Sequence, residues 1–276
     1  MRSKTLAVMI AALAGLVAVP ATASATDLIG SGSVAAQPVY EALFKAYEKQ
    51  HPDIHFIYTA NGGNAGIQDV QQGRSMFAGQ ARPPLPSDAG TIYIKMYLDG
   101  LCIDVNQQNA LSNIAIPNLA NIYLANTTNW GEVSGSNLDT TIDPIGRDTN
   151  GGTYNFFLQA VLNNKPPSSK VNALTADGLV VNAVKQDANA IGYAGLAWQS
   201  SGVKPIKVNG IPCDAANVKS LHYPLSRFIW LVLPQNNPNR QVQVFADWAR
   251  TDPKAGKIIA KAGGVPAFNK TKKHHK

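Results

Sequence analysis

Cysteine is scarce in this chain: Cys102 and Cys213 are the only two in 276 residues. Two thiols this far apart do not form a zinc motif, whose ligands come in close pairs. Histidine is scarce too. Two of the five lie in the last three positions, and His51, His55 and His222 show no metal-ligand spacing with a third partner. No serine sits in a G-x-S-x-G elbow and no Cys/His pairing is readable, so hydrolytic chemistry lacks a visible nucleophile. Charge is low as well, at 15% of residues. Arg2 and Lys4 carry two of the seven net positive charges, and Lys270, Lys272, Lys273 and Lys276 carry four more, leaving +1 on the body between. A nucleic-acid reader would show clustered Lys and Arg on that body, so no nucleic-acid partner is expected. No cofactor or metal is expected either. The basic end, 269–276, is expected to be a solvated, disordered tail, with loose attraction to an acidic cell surface as the alternative.

Long apolar runs are confined to the N-terminus. Arg2 and Lys4 precede the run Thr5–Val19, and P-A-T-A-S-A follows, with small residues spaced for a signal peptidase. Residues 1–25 are therefore expected to be a secretory leader, cleaved after Ala25 or Ala23. No lipobox cysteine lies near the cleavage site. The mature chain, about 250 residues, is expected to be exported to the periplasm or cell surface, with length enough for two lobes. An oxidising compartment permits a Cys102–Cys213 disulfide, and the alternative is two buried thiols.

What the chain does have is alternation. Pro38–Gln50 carries apolar residues at helical spacing, with proline in the first turn where helices tolerate it. His55–Thr59 reads as a strand, and a glycine turn then leads into a helix from Ile67 to Gln72. Tyr93–Val105 is strand-rich with a turn expected at Asp99-Gly100. Leu119–Leu124 and Leu179–Lys185 are expected to be helical, Phe228–Leu233 a buried strand, and Val242–Arg250 a helix burying Phe245 and Trp248. Such alternation implies an α/β protein with a mostly parallel sheet. The four tryptophans fit apolar segments, Trp130 near a cleft edge.

Three stretches share one pattern: a strand, a turn rich in Gly, Ser, Thr or Asn, then a helix start. They are Gly30-Ser31-Gly32-Ser33, Asn61-Gly62-Gly63-Asn64 and Asn150-Gly151-Gly152-Thr153. A helix begins with unpaired N–H groups and a partial positive charge. Glycine lets a ligand approach the backbone, and hydroxyls add donors, so each turn suits an anion. Arg147 adds a planar fork of donors fitted to an oxyanion. Its neighbour Asp148 reads as a helix-start cap or an exposed acid. Together these groups would hold a small oxyanion at about micromolar affinity without a metal.

The ordered set of motifs resembles the PstS-type phosphate-binding proteins of the class II solute-binding superfamily, over nearly all of the mature chain. The segments that carry it are G-S-G-S-x-x-x-Q-P-V-Y, Y-T-A-N-G-G-N-A-G-I, D-G-L-C-I-D-V-N, N-I-Y-L-A-N-T-T-N-W, G-R-D-T-N-G-G-T, A-I-G-Y-A-G-L-A, Y-P-L-S-R-F-I-W-L-V-L and F-A-D-W-A. The resemblance implies a non-enzymatic, monomeric, two-lobed α/β protein with each lobe a mixed sheet flanked by helices, joined by crossing strands. Lobe 1 would comprise 26–105 and 200–276, and lobe 2 residues 106–199. It implies capture of phosphate or a related oxyanion for an ABC permease. The alternative is a non-transport binding module on the same scaffold, with another ligand or a cell-surface role.

Site residues transfer unevenly. Arg147, Gly152 and Thr153 match the family pattern, and Gly151 stands where a serine is usual. Ser33 and Val34 straddle a hydroxyl donor's position. Gly63 replaces a serine, with Asn64 or its backbone N–H expected to compensate. The Q-A-R-P-P-L segment carries Arg82 and no aspartate. Arg82 either adds positive charge to the site or is a surface arginine. Without that aspartate, selectivity for phosphate is not assured.

Overall fold

Two strand–turn–helix units open the chain, and the turns are the glycine-rich stretches. In the computed structural model, which describes residues 25–268, β1 (Thr26–Gly32) is followed by α1 (Gln37–Glu48) and β2 (Ile54–Thr59) by α2 (Gly63–Gln71). The expected leader, save Ala25, and the basic tail from 269 lie outside the described residues. Helix α1 buries Val39, Tyr40, Leu43, Phe44 and Tyr47, the stripe its spacing indicated. Each such side chain contributes about 1.5–3 kcal/mol of burial. Helix α2 begins four residues before Ile67, because the second glycine pair is already its first turn.

Next come β3 (Phe77–Gln80), the long β4 (Thr91–Asn106), β5 (Asn113–Ile114), α3 (Ile116–Tyr123), β6 (Asp143–Arg147) and α4 (Gly152–Ala160). The chain continues through β7 (Asn172–Leu174), α5 (Asp177–Gln186), β8 (Ala190–Gly195), β9 (Val203–Val208) and α6 (Ala215–Lys219). It ends with β10 (Ser226–Pro234), α7 (Arg240–Thr251) and α8 (Pro253–Lys261).

The strands run β2-β1-β3-β10-β4-β8-β6-β7. The arrangement is mixed rather than mostly parallel. The pairs β1–β2, β1–β3, β6–β7 and β6–β8 are parallel, whereas β10 and β4 pair antiparallel with their neighbours. Strand β4 belongs to both halves. Residues 91–100 pair with β10, and Leu101–Asn106 pair with β8 and β9.

The turn expected at Asp99-Gly100 does not exist, since β4 is continuous there. Gly100 serves close packing instead: a Cβ on it would lie 2.7 Å from Val218 Cγ2 and 2.9 Å from Cys213 Sγ. Cys213 is disulfide-bonded to Cys102, two residues further along β4.

Two main cores flank the crossing. One gathers α1, β2, β3, α7 and α8 around stacked aromatics, including Phe44 over Phe56 at 4.3 Å and 11°. The other gathers α3 and α4 around Trp130, Phe157 and Tyr193. It also takes in Ile206, Val208, Val218, Tyr223 and Leu225. The expected lobe boundary at residue 200 therefore does not follow the packing, because β9 pairs with β4 and β5 and brings 203–225 into the second half. Trp130 is fully buried, with its indole N–H on Asn189 O, rather than at a cleft edge.

Candidate oxyanion site

All three glycine turns meet around the end of β3. Gly32 lies against Gly79, and the Ser33 amide donates to Gly79 O at 2.9 Å. Gly62 N donates to Gly32 O, so the second turn sits on the first. The third turn arrives from the other half of the molecule: Asn64 N donates to Asn150 O at 3.1 Å, and Asn64 Nδ2 donates to Thr149 O at 3.0 Å. Gly62 has φ +103°, a value that favours glycine, and a Cβ there would lie 2.8 Å from Asn150 O. Helices α1, α2 and α4 all begin without a side-chain cap. Their first-turn amides have no intrahelical acceptor, and the partial positive charge of each helix start lies here.

Between the starts of α2 and α4 stands Gln80, fully buried. A Cβ on Gly63 would lie 2.3 Å from its Oε1, and one on Gly152 would lie 1.9 Å from it. Only glycine at both positions leaves room for that side chain. Gln80 Oε1 accepts from Ala81 N at 2.8 Å, while Nε2 has no partner among the described residues.

The arginines divide by role. Arg147 is buried, but its guanidinium is held by its own half. Nε donates to Leu174 O at 3.1 Å, Nη2 to Thr175 O at 2.8 Å, and Nη1 to Asp177. It braces the third turn from beneath, and a Cβ on Gly151 would sit 3.1 Å from Nη2. Arg82 is neither a surface arginine nor an unpaired charge. Its Nη1 and Nη2 bind Asp88 at 2.6 and 3.0 Å, and Nε and Nη2 bind Asn64 Oδ1 at 3.1 and 3.0 Å. Burial opposes ionisation of Asp88, but donors from Arg82, Leu85 N–H and Tyr93 outweigh it and hold the carboxyl below its ordinary range.

Asn64 straps the second turn to the third. Its oxygen takes Arg82, and both its nitrogens cross to the facing turn. Val34 is buried in the approach to α1. Ser33 is buried too, and its backbone carbonyl accepts from the Tyr58 hydroxyl at 3.0 Å.

A third arginine, not singled out from the sequence, lies closest to the Thr153 hydroxyl. Arg227 Nη1 donates to Thr153 Oγ1 at 3.1 Å, and Nε donates to Asp99 Oδ2 at 2.9 Å. Nη2 lies 2.8 Å from the same oxygen, at an angle too bent for a directed hydrogen bond. Burial raises the Asp99 carboxyl above its ordinary range, partly offset by Arg227 and the Leu196 amide. Because Arg227 uses a Thr153 lone pair, the hydroxyl proton remains for a guest.

On the far side of the third turn is a cavity of about 270 Å³, lined by Tyr123, Phe157, Leu162, Pro166 and Tyr193 among others. Gly152 and Thr153 are not among its walls.

The PBP superfamily domain matches residues 18–252. The chain belongs to the PBP superfamily. Its curated relatives include the phosphate-binding protein PstS of Staphylococcus epidermidis, 27% identical over 263 residues, covering 88% of this chain and 80% of that one. Protein SphX of Synechococcus elongatus is 24% identical over 268 residues, covering 89% and 79%. Among solved structures, one from Clostridium perfringens, described as a phosphate ABC transporter substrate-binding protein and holding bound phosphate, superposes with TM-score 0.83 at 24% identity. It covers 88% of this chain and 100% of that one. An ABC-type phosphate transport receptor of Vibrio cholerae gives TM-score 0.73, also at 24% identity, covering 86% and 99%. These structural likenesses show that the mixed α/β fold is shared.

Within that scaffold, the sequence brought the glycine turns, Arg147 and Thr153 to notice. It missed Arg227, Asp99, Asp177 and Gln80. A buried R-F-I-W strand carrying a charge at its head was the one signal for Arg227.

Proposed function

We propose that this chain is an exported solute-binding protein that captures phosphate, or a closely related tetrahedral oxyanion, between its two halves and delivers it to the membrane subunits of an ABC-type uptake system. One observation carries the proposal: three uncapped helix starts converge, from both halves, on a buried place edged by the Thr153 hydroxyl and an unpartnered amide nitrogen. Membership of the PBP superfamily and relatives named for phosphate binding support the choice of anion.

The amides of Val34, Gly63 and Gly152 and the hydroxyls of Ser33 and Thr153 are the proposed donors. Arg147, Gly151, Asn64 and Arg82 shape and strap the turns, and Arg227 orients Thr153. The proposed lobes are 26–100 with 226–268, and 101–225, with β4 and the approach to β10 as crossings. Binding that favours the closed arrangement shifts the population toward it by the difference in affinity. The protein acts as a monomer and makes no covalent step.

Calorimetric titration of the purified protein with phosphate tests the proposal. About micromolar or tighter affinity, with one site per chain, is expected. No heat with phosphate, arsenate or sulfate would overturn it.

A further inference from the structure

Gln80 is the anomaly of the cleft. A buried side-chain nitrogen without a partner is rare in native proteins and costly. The flip of this amide is settled by geometry, since Oε1 accepts from Ala81 N and leaves Nε2 aimed away from that bond. Its surroundings are the starts of α2 and α4, helices of nine residues each and both uncapped. Glycine at 63 and 152 makes the room it occupies.

Thr153 Oγ1 already accepts from Arg227. The nearby carboxylates are engaged on both oxygens: Asp99 by Arg227 and Leu196 N, Asp177 by Arg147 and Gly195 N. Asp88 is engaged by Arg82, Leu85 N and Tyr93. Each of these carboxylate oxygens already accepts from a donor of the protein itself.

We propose that Gln80 is a specificity-determining residue of this cleft: its Nε2–H group binds the guest as an uncharged donor, so that fully ionised tetrahedral oxyanions, sulfate included, are accepted alongside phosphate. The inference rests on the oxyanion-binding function proposed above and adds the class of anion. A site discriminates against a ligand when one of its own buried polar groups would be left unpaired or repelled. An amide nitrogen makes no such demand on a guest without protons, whereas a carboxylate at position 80 would repel one.

The test is titration of the wild type, Gln80→Met and Gln80→Glu with sodium phosphate and sodium sulfate at one pH, with thermal unfolding as a check on folding. The wild type is expected to bind the two anions within about tenfold of each other. Gln80→Met, which keeps volume but removes the donor, is expected to weaken both by about 10- to 100-fold, the loss of one charge-assisted hydrogen bond. Gln80→Glu is expected to abolish sulfate binding and to weaken phosphate less, because phosphate carries a proton to donate. The pair Gly63→Ser with Gln80→Ala, which puts a hydroxyl into the same space, is expected to recover phosphate affinity relative to Gln80→Ala alone.

Phosphate binding with sulfate more than about 1000-fold weaker in the wild type would overturn the role of Gln80 while leaving the cleft an oxyanion site. So would an unchanged phosphate-to-sulfate ratio in Gln80→Glu. Binding of neither anion would overturn both proposals.

Discussion

Helices in this molecule begin in two ways. Helix α7 starts with Asn239, whose Oδ1 accepts from the amides of Gln241 and Val242 at 2.9 and 3.2 Å. Helix α8 starts with Asp252 accepting from Lys254 N, and α6 with Asp214 accepting from Asn217 N. At the cleft, α1, α2 and α4 start with Ala36, Gly62 and Gly151, none of which caps. Helices α3 and α5 also lack their own cap, but the Asn209 side chain reaches Ile116 N of α3, and Asp177 sits in the first turn of α5. An open helix start is therefore not a site in itself. Three that converge on one buried place, with no side-chain cap and only the Asn64 amide of α2 met by the facing turn, are the distinguishing feature. Capping typically stabilises by about 1 kcal/mol, and the cleft helices forgo it where a guest's oxygens would supply the same bonds.

What holds the cleft ends in place instead is buried charge, and breaking it should have the largest effect. Asp99→Ala leaves Arg227 without its partner in the core. A loss of about 3–5 kcal/mol in denaturant unfolding is expected, with weaker phosphate binding because Thr153 loses its orientation. Unchanged stability would show that the pair does not brace α4.

A second buried aspartate on the same strand sharpens the contrast. Asp104 is fully buried, receives one bond from Gln199, and has no partner for Oδ1 among the described residues. It lies away from the cleft, so a proton rather than a ligand relieves it. Burial pushes its carboxyl up to about 7, with Gln199 opposing. The folded chain thus keeps a proton that the unfolded chain releases near pH 4. Stability from this group is full below about pH 4 and falls as pH rises through about 7. Asp104→Asn is expected to raise unfolding free energy by on the order of 3 kcal/mol at pH 8 and to change it little at pH 4. Equal effects at both pH values would refute the titration.

The smallest effects separate the two kinds of helix start directly. Asn239→Ala should cost about 1 kcal/mol of stability and leave phosphate affinity unchanged. Ser33→Ala should do the reverse, lowering affinity about tenfold while stability stays within about 0.5 kcal/mol. A Ser33→Ala protein with full affinity would remove that hydroxyl from the proposed donor set.

Local pattern explains why some of this was readable in sequence. The α1 stripe and the three glycine turns are short-range features, and each turn did precede a helix. The groups that bring the turns together are long-range. Arg227 and Asp99 are 128 residues apart, and Arg147 and Asp177 are 30 apart. No periodicity links such partners. Gln80 carries no motif, and its meaning depends on glycines 17 positions before and 72 after it. The apparent turn at Asp99-Gly100 misled because glycine usually marks a bend. Here the missing Cβ makes space for the disulfide, and Asp99 faces an arginine instead of solvent. The pairing of β9 was hidden for a related reason: its partner strand lies about a hundred residues earlier.

Two kinds of bond cross the cleft: amide to carbonyl, Asn64 to Thr149 and Asn150, and the buried Arg227 guanidinium to the Thr153 hydroxyl. Dissolved salt screens exposed charges most, and neither the dipoles nor a buried guanidinium offers it much to screen. Ionic strength should thus alter how strongly an anion is drawn in while leaving the shut geometry itself intact, so that brine and dilute buffer would yield the same clasped form.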